Sequence, residues 1–480
     1  MLYYPKKVLE AKLITRDVSI ITFWLGMLML IPMAIAIISG EPFWYVYLPL
    51  ILITSGLSYL FMKRIKHKAA PFTQTTLVTL AVMWIVFSIV GSYPFIAVAG
   101  MDPLDALFES VSSISTVGIT AVPIPELLPN SVMFWRLMLC WLGGIGITAF
   151  AFYSILQSES VARIVIGEGY ERLKPSLVNS GREIFKIYSF WTIVGIIMLL
   201  VIGIPFVDSL SLSVNAISTT GTDIHSGGWL YYQKHYPQAF SIMPTIVAFL
   251  MLMGSISFVA HYRVLKSKRI LMYFKDSETR AFLIILIIGV ALVAGYAAMK
   301  GLDPVPLAYE AYSTSTTGGF EILPFEMLNV SGSIMAGLII LALIGGASNS
   351  PAGGLKVRRV AILLKYIGWR ASQEISPKGS VSHFKYGGET VSTDQIAEIA
   401  VYAFIYGIAI ILVAGFLIAL GYDSVSSVFT VAGAQSGSTS SMQAFDLMWP
   451  AKAALIGTML LGRLEFLPLF ALAAYALHRR

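Results

Sequence analysis

Residues 102–120 read DPLDALFESVSSISTVGIT, a polar segment between two strongly apolar stretches of the chain. Asp102 followed by Pro103 is typical of a helix start. A short helical run follows, and the segment ends in a Thr-Val-Gly step at 116–118. The segment is too short and too polar to cross a bilayer alone. We therefore predict a half-helix that enters the membrane and returns as a re-entrant loop sheltered by protein.

The composition of the whole chain is that of a membrane protein. Of its 480 residues, 57% are hydrophobic and only 12% are charged, and the mean hydropathy is +0.77. A soluble protein of this size would carry about 25% charged residues. Apolar runs of about 20 residues, long enough for a spanning helix, recur along the sequence. The predicted fold class is an all-α integral membrane protein.

Lysine and arginine residues are concentrated in alternate connections between the apolar runs. Twenty-eight of the 33 fall into six groups, at residues 6–16, 63–68, 163–186, 263–280, 356–385 and 479–480. This is the positive-inside pattern. It predicts a multi-pass protein of the plasma membrane with both termini in the cytoplasm and the Thr-Val-Gly step on the external side. The same grouping argues against a nucleic-acid partner, despite the net charge of +7.

The polar segment recurs three times. The other copies read VDSLSLSVNAISTTGTD (207–223), DPVPLAYEAYSTSTTGGFE (303–321) and YDSVSSVFTVAGAQSGSTS (422–440). Each lies between apolar stretches, opens near an acidic residue and ends near a glycine. The glycines at 118, 221, 319 and 437 are 103, 98 and 118 residues apart, which indicates a domain-sized internal repeat.

We therefore predict two leading spans and four span–pore-loop–span repeats around a central pore, in a pseudo-fourfold arrangement. The leading spans occupy residues 1–70. The pore repeats occupy residues 71–165, 166–275, 276–385 and 386–480. The second helix of the third repeat is interrupted, at residues 345–355.

The ends of the four loops have the chemistry of a cation filter. A half-helix that enters from outside points the negative end of its dipole into the membrane. Hydroxyls, glycines and carbonyls follow, and four such segments form rings of oxygen atoms, as in the Thr-Val-Gly-Tyr-Gly loop of potassium channels. The predicted ion-binding filter residues are Thr116, Val117, Gly118, Thr219, Thr220, Gly221, Thr317, Gly318, Gly319, Gln435, Ser436 and Gly437.

Several acidic residues on the external side are candidates for concentrating cations at the pore mouth. They are Glu109, Glu126, Asp223, Glu310, Glu321 and Glu326. Ordinary solvated charges or helix caps are the alternative for each of them.

The third repeat contains LIGGASNSPAGGLKVRR (343–359), in which glycines and a proline interrupt a span. A broken helix at this depth is expected to line the permeation path, so we predict a gate, with a structural kink as the alternative. The predicted gate residues are Gly345, Gly346, Ala347, Ser348, Asn349, Ser350, Gly353, Gly354 and Arg463. Arg463 lies in an apolar span, where a charge is costly. It is expected either to cap carbonyls of the broken span or to act as a positive barrier.

The sequence gives no support for an enzyme or for an organic cofactor. The six histidines are scattered, without metal-ligand spacing. No phosphate-binding GxxxxGK[ST] loop is present. The single cysteine, Cys140, lies in an apolar run and is expected to be a small buried side chain.

The chain resembles the Trk/Ktr/HKT superfamily of potassium uptake proteins, and its leading spans favour the Trk branch. The resemblance rests on the four loop segments and on RLMLCWLGGIGI (136–147), GSISFVAHYR (254–263), GGASNSPAGGLK (345–356) and GRLEFLPLF (462–470). It implies a K⁺-selective pore with K⁺ at the filter residues, a gating loop at 345–354 and a nearby arginine at Arg463. It also implies a homodimer in membrane lipid with a cytoplasmic, nucleotide-binding regulatory subunit of the RCK (TrkA/KtrA) type.

The function expected from these features is channel-like K⁺ uptake, gated by the interrupted helix and by the regulatory subunit. A K⁺ symporter coupled to H⁺ or Na⁺ is the alternative.

Overall fold

The computed structural model describes residues 6–65, 73–146, 177–322, 332–375, 383–438 and 440–477. The regular secondary structure in these ranges is helical, apart from one short antiparallel hairpin with strands Lys385–Tyr386 and Glu389–Thr390. Six helical stretches are long and apolar enough to cross a membrane, or eight if two bent pairs each form one span. The prediction of an all-α integral membrane protein is therefore confirmed. Most of the basic group 163–186, part of 63–68, residues 479–480 and Glu326 lie outside the described residues.

The chain begins with two apolar spans. Lys6–Leu28 and Leu30–Ile38 form the first, and Tyr47–Arg64 forms the second after the 3₁₀ turn Trp44–Val46. Four sets of helices follow. In each set a first spanning helix leads to a short pore helix and then to a second helix, here called the inner helix.

The first spanning helices are Thr73–Ala97, Leu177–Val201, Ser277–Met299 and Thr393–Ala419. The pore helices are Pro103–Ile114, Phe206–Ser218, Pro304–Ser315 and Ser424–Ser436. The inner helices begin as Asn130–Ile145, Met243–Ser255, Gly332–Ile344 and Trp449–Arg463. The last three continue, after a break, as Phe258–Ser267, Val357–Glu374 and Leu467–Leu477. The remaining short elements are the helices Gly228–His235, Pro237–Phe240 and Met272–Lys275 and the 3₁₀ turns Pro125–Leu127 and Ala444–Asp446.

Local capping explains where three of the pore helices begin. The carboxylates of Asp102, Asp303 and Asp423 accept backbone N–H bonds of 2.9, 3.0 and 2.9 Å from Leu104, Val305 and Ser426. Such caps satisfy donors that a helix start leaves unpaired. The second pore helix differs, because its N-cap is Pro205 and Asp208 lies within the first turn.

Two inner helices bend sharply where the sequence predicts continuous spans. The second bends by 100° between Ser255 and Phe258, and the fourth by 110° between Arg463 and Leu467. At the first bend Ser257 starts a new helix by accepting the N–H of Val259. Glu465 and Phe466 have φ values of 54° and 64°, a left-handed conformation that a helix cannot contain. Among the described residues the second, third and fourth inner helices are thus interrupted, whereas the sequence predicts a break only in the third.

The four sets form a closed ring. The inner helix of each set packs against the pore helix of the next, and the inner helix Trp449–Arg463 of the fourth packs against the first pore helix, Pro103–Ile114. This order confirms the pseudo-fourfold arrangement and brings the ends of all four pore helices to the centre.

Candidate functional site

The four pore helices end in the same way. Each is followed by a residue in the left-handed conformation, with φ of 57° at Thr116, 55° at Thr219, 53° at Thr317 and 68° at Gly437. Each of these residues lies 14 positions after the N-cap of its helix, from Asp102, Pro205, Asp303 and Asp423 respectively. The four residues therefore occupy equivalent positions around the ring.

This equivalence changes the register of the fourth filter segment. Gln435 and Ser436 form the last turn of the fourth pore helix, whereas Thr116 and Val117 follow the first pore helix. The predicted segment Gln435–Gly437 is therefore two residues too early, because it was matched to the others by its glycine. The equivalent segment starts at Gly437 and continues with Ser438, and residue 439 lies outside the described ranges.

The inner helices give the same register independently. A Cβ atom at Gly143 would lie 2.0 Å from the carbonyl oxygen of Ile114, and one at Gly254 would lie 2.5 Å from that of Ile217. In the fourth set, a Cβ atom at Gly462 would lie 1.9 Å from the carbonyl oxygen of Gln435. Gln435 thus stands where the first and second pore helices have Ile114 and Ile217, and its side-chain amide donates to the carbonyl of Tyr406.

The segments after the pore helices touch one another. A Cβ atom at Gly118 would lie 2.0 Å from the carbonyl oxygen of Thr220, and one at Gly221 would lie 2.3 Å from the backbone of Gly319. A Cβ atom at Gly437 would lie 3.3 Å from the carbonyl oxygen of Thr116. Contacts therefore run from the first segment to the second, from the second to the third, and from the fourth to the first.

Hydroxyl and carbonyl groups of the described residues line this meeting point. Val117, Gly118, Gly221, Gly318 and Gly319 lie among hydroxyl residues. These residues are at most 2% exposed, namely Thr116, Thr219, Thr220, Thr317, Ser436 and Ser438. Neutral oxygen atoms in a dry site are the ligands that replace the water around a monovalent cation.

The intramembrane loop 345–355 lies directly beneath these segments. The N–H of Gly353 donates a 3.0 Å hydrogen bond to Oγ1 of Thr317. A Cβ atom at Gly353 would lie 1.9 Å from the carbonyl oxygen of Ser436. The loop thus contacts both the third segment and the end of the fourth pore helix.

Further hydrogen bonds fix the loop to its surroundings. The N–H of Ala347 donates to the carbonyl of Ser255 (3.0 Å), and the carbonyl of Asn349 accepts the N–H of Phe258 (2.9 Å). The Glu278 carboxylate accepts the N–H of Ser348 at 2.5 Å. Gly345, Asn349 and Gly354 have φ values of 68°, 57° and 80°, Gly346 donates to Gly353, and Ser350 donates to Ala347. Both sides of the loop are thereby held against neighbouring helices.

Arg463 donates hydrogen bonds to carbonyl groups of the loop and of the first inner helix. Its Nη1 donates to the carbonyl of Pro351 in the loop at 2.9 Å. Its Nη2 donates to the carbonyls of Gly143 and Gly144 in the first inner helix, and its guanidinium lies 5.8 Å from the ring of Trp84. Of the two roles expected from the sequence, these contacts correspond to the capping of carbonyls.

Glu465 has a different partner, Arg359, with which it forms an ion pair. Arg359 also lies over the ring of Tyr402, 4.4 Å from its centroid.

A cavity of about 360 Å³ lies between the filter segments and the far side of the loop. Its lining includes Thr116 and Gly437 of the segments that follow the pore helices, Ser350 and Arg463 beside the loop, and Glu398 in the helix Thr393–Ala419. The cavity therefore extends from those segments past the loop.

Two acids predicted for the pore mouth are buried behind the filter instead. Glu109 is 1% exposed and pairs with Arg136 at 2.6 Å. The same carboxylate accepts the N–H of Ala121 at 2.7 Å, and Arg136 donates to the carbonyl of Asp223 at 3.0 Å. This pair ties the chain after the first filter segment to the chain after the second.

Glu310 plays the corresponding part in the third set. It is fully buried and accepts the N–H of Ile322 at 2.7 Å. Glu109 and Glu310 both lie seven residues after their N-caps, Asp102 and Asp303. This shared spacing is a signal in the sequence that could have identified them as equivalent. The sequence did not identify Arg136 as part of this site, because its only distinguishing feature there is that it lies outside the basic groups.

Of the other predicted mouth acids, Glu126, Asp223 and Glu321 lie in the segments between pore helices and inner helices. Glu126 accepts the N–H of Ser226 at 2.7 Å, and the nearby His225 contacts Asp208 of the second pore helix through Nε2 at 2.6 Å. Burial alone would raise the pKa of Glu126, but hydrogen bonds from backbone amides and from Ser226, with His225 nearby, lower it overall. Asp223 accepts the N–H of Ile224 at 2.7 Å. Glu321 is half-buried, and Glu326 lies outside the described residues.

Comparison with known proteins places this arrangement in a family. Residues 39–479 match the family described as TrkH, cation transport protein. An uncharacterized cation transporter of Methanocaldococcus jannaschii is 31% identical over 407 residues, which cover 83% of this chain and 82% of the relative. The Trk system potassium uptake protein TrkH of Halomonas elongata is 26% identical, over 98% of this chain and all of the relative.

A solved structure has the same fold. The crystal structure of the potassium transporter TrkH from Vibrio parahaemolyticus matches with a TM-score of 0.82, over 96% of this chain and 97% of that one. Its sequence identity is 23%, so this likeness bears on the fold alone.

Proposed function

The chain belongs to the TrkH family of cation transport proteins, and on that premise we propose that it carries K⁺ into the cell along the axis of its four pore helices. The observation that carries the proposal is the fourfold recurrence of one helix end. Four equivalent left-handed residues, Thr116, Thr219, Thr317 and Gly437, converge among buried hydroxyl groups.

The direction of transport follows from electrostatics. The pore helices point their negative ends at the site where the segments meet, which favours a cation there. An inside-negative membrane potential supplies about 2.3 kcal/mol per charge per 100 mV. Channel-like uptake therefore needs no second substrate. The orientation is the one expected from the basic groups, with both termini in the cytoplasm of a cell-membrane protein.

The choice of K⁺ is supported by the relatives. Those from Halomonas elongata and Escherichia coli carry the words potassium uptake in their names. The relative from Methanocaldococcus jannaschii is named only a cation transporter. Selectivity for K⁺ over Na⁺ is accordingly the property to be measured first.

We assign the filter to Thr116, Val117, Gly118, Thr219, Thr220, Gly221, Thr317, Gly318, Gly319, Gly437 and Ser438. We assign the gate to the intramembrane loop with Arg463. The support for a gate is the position of Gly353, which is bonded to Thr317 and packed against Ser436. In this proposal K⁺ permeates when the loop moves away from the third and fourth segments.

Regulation is proposed to come from a partner. The relatives are named as parts of a Trk system, which supports a second component. In line with the family resemblance, we assign this role to a nucleotide-binding RCK-type subunit on the cytoplasmic face of a homodimer.

The decisive experiment compares K⁺ and Na⁺ flux through the protein and its Gly118→Ser variant in liposomes. The added side chain collides with the carbonyl of Thr220, so the K⁺/Na⁺ ratio should fall. Gly407→Ser, in the spanning helix Thr393–Ala419, is the matched control, because a Cβ atom there meets nothing within 4 Å. An unchanged ratio in Gly118→Ser would show that the filter is assigned to the wrong residues.

A symporter coupled to H⁺ or Na⁺ is the second candidate, and it predicts a different flux. K⁺ accumulation driven by an imposed pH or Na⁺ gradient, with the membrane potential clamped at zero, would overturn the channel-like mechanism. Deletion of residues 347–353 tests the gate separately, because it should raise basal K⁺ flux.

A further inference from the structure

A second pocket, of about 190 Å³, lies beside the intramembrane loop at the inner end of the third spanning helix. Four basic residues line it, namely Arg263, Lys275, Arg280 and Arg358. We propose that this pocket binds the phosphate of an anionic phospholipid headgroup.

The charges of the pocket leave two cations available. Asp276 pairs with Arg263 at 3.1 Å and also caps the spanning helix through Thr279. Glu278 accepts the N–H of Ser348, and Glu389 lies 3.6 Å from Arg358. Each carboxylate of the pocket therefore has a protein partner. Lys275 and Arg280 are exposed and have no ion-pair partner among the described residues.

The segment that leads into the pocket has the composition of a membrane-interface anchor. Ile270, Leu271 and Phe274 are 74%, 72% and 54% exposed, and Lys268 and Arg269 precede them. Exposed apolar side chains among cations favour the boundary between headgroups and acyl chains. This places Lys275 at the depth of lipid phosphates, which favours a lipid over a soluble phosphate compound.

The pocket also offers neutral donors. The buried hydroxyl of Tyr386 makes no hydrogen bond of normal geometry, and Tyr386 and Ser257 both line the pocket. A phosphate oxygen is an acceptor, so it suits a site that presents guanidinium, ammonium and hydroxyl donors together.

Lipid binding in the pocket is coupled to the intramembrane loop through residues that contact both the pocket and the loop. Asn349 and Glu278 line the pocket, and Glu278 holds Ser348 of the loop. Arg358 stands at the start of the helix that follows the loop, and a bound phosphate competes with Glu389 for it. This coupling rests on the proposed function, whereas the binding site does not.

The test of the site is lipid binding, measured by native mass spectrometry on the full chain in detergent. Phosphatidylglycerol should bind in preference to phosphatidylcholine. The variant Lys275→Gln/Arg280→Gln should bind phosphatidylglycerol less well, by about fivefold for each cation removed. Lys186→Gln/Arg370→Gln, which removes two cations with side chains 59% and 61% exposed elsewhere, should bind it as the unaltered chain does.

Equal binding by the Lys275→Gln/Arg280→Gln variant and the unaltered chain would overturn the site. Displacement of the lipid by glycerol 3-phosphate at equal concentration would overturn its assignment to a lipid and indicate a soluble phosphate ligand. K⁺ flux in phosphatidylglycerol and phosphatidylcholine vesicles tests the coupling alone. If the K⁺ flux is the same in both kinds of vesicle while phosphatidylglycerol still binds, the coupling is overturned and the binding site is retained.

Discussion

The backbone amide of Gly353 donates its hydrogen bond to the hydroxyl of Thr317 over 3.0 Å. One residue belongs to the intramembrane loop and the other to the third pore-lining segment. The loop is therefore bonded to the third segment itself, and the opening that we propose breaks this contact.

Replacing Thr317 by valine should favour the open state. The substitution keeps the shape of the side chain but leaves the N–H of Gly353 without an acceptor, which costs about 1 to 3 kcal/mol in the closed state. Basal K⁺ flux should rise in liposomes that lack any partner. Thr317→Ser retains the hydroxyl and should keep the flux low. Equal fluxes in the two variants would mean that the hydrogen bond does not hold the loop.

Substitutions of Arg463 by leucine and by lysine distinguish its two expected roles, the capping of carbonyls and a positive barrier. Arg463→Leu removes the donors to Pro351 and Gly143, and hydrogen bonds to charged groups contribute about 1.5 to 3 kcal/mol each. Basal flux should therefore increase about tenfold or more. Arg463→Lys keeps the charge but cannot reproduce the planar fork that spans both carbonyls. An elevated flux in the lysine variant supports capping, whereas an unchanged flux would indicate a positive barrier.

The ion pair between Glu109 and Arg136 should stabilise the outer filter as a unit. Both side chains are at most 2% exposed, and removing one partner of a buried pair costs about 3 to 5 kcal/mol. Glu109→Gln and Arg136→Met should each lower the thermal unfolding midpoint in detergent. The double variant should recover much of that loss, because it leaves no unpaired charge. Additive losses would contradict a direct coupling.

Acid should weaken the cap of the fourth pore helix. Hydrogen bonds from the backbone and side chain of Ser426 lower the pKa of Asp423 below its ordinary value of 3.8. A lowered folded-state pKa contributes stability above the unfolded-state pKa, and this stability is lost as the pH falls through the folded value.

Asp423→Asn provides the comparison, because asparagine caps a helix without titrating. The difference in unfolding midpoint between the unaltered chain and this variant should shrink between pH 6 and pH 3. A difference that stays constant over this range would contradict the role of the charged cap.

Much of the architecture could be predicted because the responsible signals are local. Asp102, Asp303 and Asp423 mark the starts of pore helices and do cap them. The glycine and proline residues of 345–354 likewise mark a break that the structure contains. Asp208 was misleading, because its helix begins after Pro205 and its carboxylate contacts His225.

The register of the fourth segment could not be read from its glycine. Gly437 takes the left-handed position that threonine occupies in the other three segments, so a match by glycine shifts the segment by two residues. Counting from the cap at Asp423 gives the structural register. The number of residues from the N-cap to the left-handed position is the same in all four segments. The type of residue at that position differs, because threonine takes it in three segments and glycine in the fourth.

Most contacts between residues far apart in the sequence could not be predicted. Glu109 is an external acid in the sequence, and only the fold brings Arg136 to it. The bend at Glu465 and Phe466 is marked in the sequence by Pro468, which lies in the first turn of the helix Leu467–Leu477. Ion pairing of Glu465 with Arg359 and ring contacts of Phe466 with Tyr402 and Tyr406 accompany that left-handed turn.

The closed ring of helices also has a consequence for biosynthesis. The contact between Arg463 and Gly143 joins residues 320 positions apart, and the fourth segment meets the first at Thr116. A nascent chain therefore has no complete wall around its ion path until the ribosome has made nearly all of it. On the proposed function, a chain truncated within its last helices should therefore be inactive in K⁺ uptake.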